Sequence, residues 1–184
     1  MRVFVGIPFV DEYKKNLKKI KNNWANKLLS KIKWTQEKNF HLTLFFIGEV
    51  NEKKVDQIKD TLENVSVAPF ILQAGGGGYF PNIKRPRILW VGTKKGYGEC
   101  IKLAEEVSSS LSSIGIKGDD RPFKPHLTIG RIKYAHLKDN WKELLKYLNE
   151  FTWPEITIDR FILWQSILKP TGPIYIPIKE FELK

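Results

Sequence analysis

The stretch HLTLFFIG, beginning at His41, returns in outline as HLTIGRI, beginning at His126, in a chain that has only three histidines. Polar His and Thr alternate with aliphatic residues in both, the pattern of a strand with one buried face. Successive side chains of a strand point to opposite faces, so His41 projects with Thr43, and His126 with Thr128, while the leucines between them enter the core. With about 3.3 Å of rise per residue, the two polar stems stand roughly 6.6 Å apart, which lets an imidazole and a hydroxyl touch one small anion. Two such strands at comparable places in two halves predict internal duplication: two similar lobes facing each other across a groove.

The rest of the chain fits this frame. RVFVGIP (2–8) reads as a strand, followed by a helix with Val10, Tyr13, Leu17, Ile20, Trp24 and Leu28 on one stripe and Asp11 as N-cap. After the first motif, NEKKVDQIKDTLENV reads as a helix capped by Asn51, with Val55, Ile58, Leu62 and Val65 inward. APFILQAGGGGYFP begins as a strand and is expected to break at Gly75 to Gly78. RPRILWVGT then returns antiparallel around a loose glycine connection. No Gly-Lys-Ser/Thr follows these glycines, so a P-loop is excluded.

A third helix carries Cys100, Leu103, Val107, Leu111 and Ile114 on one face and ends at Gly115. After the second motif comes a helix with Trp141, Leu144, Leu145 and Leu148, and two long β segments, EITIDRFILWQSIL and PIYIPIKEFEL, close the chain. The predicted class is α+β, with antiparallel or mixed sheets lining a central groove and helices outside. At 184 residues the chain is expected to form one bilobal unit spanning 1–184.

Six Trp and an aromatic content of 12% exclude a disordered chain. No apolar run reaches the ~18–20 residues of a membrane span, and acids interrupt the opening segment where a secretory core would continue. A soluble, cytoplasmic protein is expected, monomeric because no apolar stripe is left without a use. Cys100 is alone, so it forms no internal disulfide and reads as a small buried residue. The formal net charge of +11 favours a polyanionic partner, nucleic acid first. Lys14, Lys15, Lys18, Lys19 and Lys21 are equally well explained as the solvated face of the first helix.

Paired imidazoles suit in-line displacement at phosphorus, where attacking and leaving oxygens occupy opposite apices. One imidazole takes a proton from the nucleophile and the other gives one to the leaving oxygen, both titrating near ~6.5 when unperturbed. The hydroxyls orient non-bridging oxygens. A strained cyclic phosphate needs no metal activation, and no carboxylate or Cys cluster has metal spacing, so neither metal nor cofactor is expected. A single His-x-Thr is more often a surface feature than a catalyst; its repetition carries the functional reading. His136 lacks the Thr and reads as structural. Arg131, five residues after His126, would point away in a regular strand, and only a bulge or strand end near Gly130 would turn its guanidinium toward the phosphate.

These segments resemble the two-histidine phosphoesterases, and within them the RNA 2′,3′-cyclic phosphodiesterases, also called 2′,5′ RNA ligases. The resemblance rests on RVFVGIP, HLTLFFIGEV, GGGGYFP with PRILWVG, FKPHLTIGR and FILWQSILKPTGPIYIPIKEF, and so spans nearly the whole chain. It implies a bilobal α+β fold and metal-independent opening of a terminal 2′,3′-cyclic phosphate to a 2′-phosphate, with reversible 2′,5′ ligation as a second outcome. It implies His41 as proton donor, His126 as proton acceptor, Thr43 and Thr128 as phosphate contacts, and Arg131 as a further phosphate ligand. The implied partner is an RNA with a cyclic phosphate end, tRNA fragments being one candidate. Two rivals remain: the same chemistry on ADP-ribose cyclic phosphate or a cyclic nucleotide, and a non-catalytic basic RNA-binding module. Phe9 and Phe123 are candidates to stack a base, with core packing the favoured reading for both.

Overall fold

A computed structural model describes residues 1–119, 121–170 and 172–184. The elements run β1 (Arg2–Pro8), α1 (Asp11–Trp24), β2 (Lys31–Trp34), a 3-10 turn (Glu37–Asn39), β3 (His41–Glu49), α2 (Glu52–Leu62), β4 (Phe70–Phe80) and β5 (Ile88–Lys95). They continue with α3 (Tyr97–Ser113), β6 (Leu127–Tyr134), α4 (Trp141–Glu150), β7 (Glu155–Ile158), β8 (Arg160–Lys169) and β9 (Gly172–Glu182). The strands form two sheets, in the orders β3-β1-β8-β9 and β2-β6-β5-β4-β7, with every pairing antiparallel. The predicted α+β class is observed. The runs β3-β1-β8 and β6-β5-β4 repeat one pattern, each beginning with a motif strand.

The halves exchange their first helices. α1 follows β1 in sequence, but it packs on the second sheet beside α4: Tyr13 accepts from the Ala74 amide of β4 at 2.9 Å, and Asn23 donates to the Tyr147 hydroxyl of α4 at 2.7 Å. α3 follows β5, but it packs against β3 and α2, where Lys54 donates to the Ile114 carbonyl at 2.6 Å. The helix stripes are buried at Leu17, Ile20, Val55, Ile58, Leu103, Val107, Leu144 and Leu148, whereas Val10, expected on the first stripe, precedes α1 and is exposed. Asn51 caps α2 by accepting from the Lys54 amide, and Gly115 follows α3 at a φ of 80°, a conformation that costs glycine nothing.

Four expectations need correction. α1 ends at Trp24, leaving Leu28 outside it, and the chain turns instead into the edge strand β2. Asp11 does not cap α1; Val10 holds the extended cap position while the Asp11 carboxylate pairs with Lys14 at 3.0 Å. The glycine run is not a loop but the middle of the eleven-residue β4. Gly76, at a φ of 68°, bulges there, and the chain turns beyond Phe80. EITIDRFILWQSIL is not one strand: β7 joins the edge of the second sheet, and after Asp159 β8 enters the first. Among the described residues no helix is long and apolar enough to cross a membrane.

Candidate active site

β3 and β6 come from different sheets and approach each other, which brings the two motifs to one groove. In the β1–β3 pair Gly6 lies opposite Thr43 and Val5 opposite Phe45, so Leu44 is an extra residue. In the β5–β6 pair Trp90 lies opposite Thr128 and Leu89 opposite Gly130, so Ile129 is extra. Each motif thus ends in a bulge at its fourth residue. A bulge of one residue reverses the alternation beyond it. Arg131, opposite Ile88, is thereby returned to the face that carries Thr128 and Trp90. The corresponding residue of the first motif, Phe46, is returned beside Phe4, and 66% of it is exposed.

Both imidazoles are oriented by the same device. Nδ1 of His41 bonds the Asn39 carbonyl at 2.7 Å, and Nδ1 of His126 bonds the Lys124 carbonyl at 2.7 Å. A carbonyl only accepts, so each Nδ1 carries a proton and each Nε2 is left for the groove. His41 Nε2 meets the Thr43 hydroxyl at 2.8 Å. No such bond joins His126 to Thr128 among the described residues. Thr128 is instead held through its backbone, whose carbonyl accepts from the Thr35 hydroxyl at 2.8 Å.

A stacked aromatic pair backs each histidine. Phe4 and Trp164, 5.3 Å apart, lie behind His41, and Tyr175 meets its ring edge-on at 5.2 Å. Phe80 and Trp90, 5.1 Å apart, lie behind His126. The Lys124 ammonium sits 4.4 Å from the centre of the Trp90 ring, a cation–π contact that fixes a positive charge beside the second motif.

Burial is the main reason the His41 pKa is pushed down to about 4; the Asn39 carbonyl opposes this, and the charges of Arg131 and His126 add to it. His126 is lowered for the same first reason, opposed by the Lys124 carbonyl and assisted by the charges of Lys124 and Arg131. Burial raises Tyr175, with Arg131 and Arg2 opposing. One guanidinium therefore acts on both imidazoles and on Tyr175. An anion seated there would offset that guanidinium and favour the charged imidazole.

Of the five residues singled out by the sequence, His41 and Thr43 lie on β3, Thr128 and Arg131 on β6, and His126 immediately before β6. His136 lies elsewhere, its Nδ1 accepting from the Lys138 amide. Phe9 is buried against Tyr13, and Phe123 packs half-buried on the core. Sequence reasoning missed Lys124, Trp90, Phe4, Trp164 and Tyr175. Only Lys124 had a usable signal, two residues before the second histidine. Among the described residues no three His, Cys, Asp or Glu side chains converge as metal ligands.

The family model described as LigT like phosphoesterase matches the chain twice in succession, over residues 7–90 and 91–175, with one motif in each match. The chain belongs to the LigT-like phosphoesterase family. This LigT-like phosphoesterase is similar to proteins named RNA 2′,3′-cyclic phosphodiesterase. The Archaeoglobus fulgidus relative is 35% identical over 99% of this chain and 100% of its own. The Thermotoga maritima relative is 37% identical over 100% and 96%. Among solved structures, a Thermus thermophilus protein superposes with a TM-score of 0.84 at 27% identity, covering 100% of this chain and 98% of that one. E. coli LigT complexed with 3′-AMP superposes at 0.81 with 22% identity, covering 99% and 97%, which shows the shared fold.

Proposed function

We propose that this phosphoesterase opens the 2′,3′-cyclic phosphate at the end of an RNA chain, leaving a 2′-phosphomonoester, with residues 1–184 acting as one bilobal unit. The observation that supports it most is the paired orientation of the imidazoles: both Nδ1 atoms are held by carbonyls at 2.7 Å, so two proton-transfer atoms face one groove beside Arg131. The names of the relatives support the choice of RNA cyclic phosphate as substrate.

His126 Nε2 accepts a proton from water as the water oxygen bonds to phosphorus. The P–O3′ bond breaks, and His41 Nε2–H protonates the departing O3′. Thr43, Thr128 and Arg131 hold the non-bridging oxygens and the charge that develops on them. Release of ring strain drives the step, so the pathway uses no metal. If a 5′-hydroxyl replaces water, the same transfers form a 2′,5′ linkage. His41 becomes the charged donor when the bound phosphate's negative charge stabilises the imidazolium against burial and the Arg131 charge.

The test incubates the protein, in EDTA, with an oligoribonucleotide ending in a 2′,3′-cyclic phosphate, together with His41→Ala and His126→Ala. The expected product is a 2′-phosphate, with kcat lowered roughly 10²–10⁴-fold in each variant. Salt-sensitive binding without turnover would replace this reading with that of an RNA-binding module.

A further inference from the structure

Beyond Arg131 the second sheet continues past the groove. We propose that β2 and the far end of β6 form a track for the RNA chain on the 5′ side of the reacting nucleotide, so that the enzyme favours oligoribonucleotides over mononucleotides. This rests on the function proposed above. The register supplies the path. Lys33 lies opposite Arg131, and Lys31 opposite Tyr134, so cations of β2 continue from the guanidinium along the strand. With ~3.3 Å of rise per residue, Tyr134 stands roughly 10 Å beyond Arg131, a reach that takes in the nucleotide next to the terminal one.

The chemistry along that path is of one kind. Lys31, Lys33 and Lys133 are exposed, and none forms an ion pair among the described residues. A Cβ built on Gly172, at the start of β9, would lie 3.5 Å from the Lys33 ammonium, so this side chain reaches toward the other sheet at the end of the groove. Tyr134 is 54% exposed, a large ring that the core does not use. Unpaired cations interleaved with an exposed ring are what a single strand needs: charge for its phosphates and a flat surface for a base. The occupant is the 5′ chain because the cyclic phosphate is a 3′ terminus, so every further nucleotide leaves the site in that direction.

The experiment measures kcat/KM on a short oligoribonucleotide 2′,3′-cyclic phosphate and on a mononucleoside 2′,3′-cyclic phosphate, for the natural protein, Tyr134→Ala and Lys31→Ala/Lys133→Ala. Anisotropy of a labelled oligoribonucleotide carrying a 2′-phosphate is followed alongside. The natural protein is expected to prefer the oligonucleotide. Tyr134→Ala should reduce that preference about tenfold, through KM rather than kcat. The double lysine variant should lower the slope of log affinity against log salt by about 0.7 per lysine removed. Equal kcat/KM on both substrates, or equal losses on both in the variants, would overturn the track and leave the catalytic reading intact. A protein inert on both substrates would instead overturn the catalytic reading, and the anisotropy slopes would still decide the track.

Discussion

Gly78 and Trp90 lie opposite each other on β4 and β5, so closely that a Cβ at 78 would enter the indole ring. The glycine is thus the bed on which the ring behind His126 rests, a ring that also carries the Lys124 ammonium. Gly78→Ala is expected to displace Trp90, lowering the unfolding midpoint by the few degrees that about 1–3 kcal/mol of overpacking produces. kcat is expected to fall by more than the stability loss explains. Thermal unfolding and kcat measured on one preparation check this; an unchanged kcat would detach Trp90 from the second motif.

The two imidazoles predict a pH profile that depends on what is bound. With His41 near 4 and His126 also lowered, the bell of kcat/KM, which reports the free enzyme, should centre below pH 6.5. In the complex the phosphate offsets Arg131, so the bell of kcat should lie at higher pH. Superimposed bells would show that the anion does not retune His41.

Arg131→Gln is expected to lower kcat/KM by roughly 10–100-fold through lost stabilisation of phosphoryl charge. Because the guanidinium depresses both imidazoles, the same variant should move the kcat/KM bell toward higher pH. NMR titration of the histidine rings in the free variant gives the shift directly, and an unmoved His41 would place the guanidinium outside the groove.

Stability should also follow the imidazoles. The folded protein holds His41 neutral down to about pH 4, whereas the unfolded chain takes up that proton near ~6.5. Between these values the unfolded state binds more protons, so stability falls as pH falls. At ~1.4 kcal/mol per pH unit the His41 contribution is at most about 3.5 kcal/mol. Urea midpoints from pH 7 to 4 should show this slope, and His41→Gln should flatten it.

Much of this was legible because the chain states its periodicities openly. The His-x-Thr strands, three of the helix stripes, the Asn51 cap and the Gly115 stop rest on local side-chain patterns, and these survive in the structure. The misread segments are those where distant contacts decide. KIKW carries no strand signal of its own after the first helix pattern, and pairing with β6 makes it a strand. Four glycines look like a loop when their neighbours are invisible, although Gly77 and Gly78 are small because Leu148 and Trp90 occupy the space a Cβ would need. The offset of Arg131 could be reconciled with the groove only by a bulge, whose place at Ile129 is a property of the β5–β6 register. The aromatic pairs behind the histidines join strands far apart in sequence, and no spacing announces them.

The exchange of α1 and α3 bears on how such a chain could have arisen. Severed between the two family matches, the first piece would carry α1 without the strands of the second half that complete its sheet, and the second piece would carry α3 without β3 and α2 to pack on. Neither could seal its own core, but two copies of one piece could seal each other's by trading helices. In a single chain the two walls are free to differ, with arginine after one motif and phenylalanine at the matching place after the other.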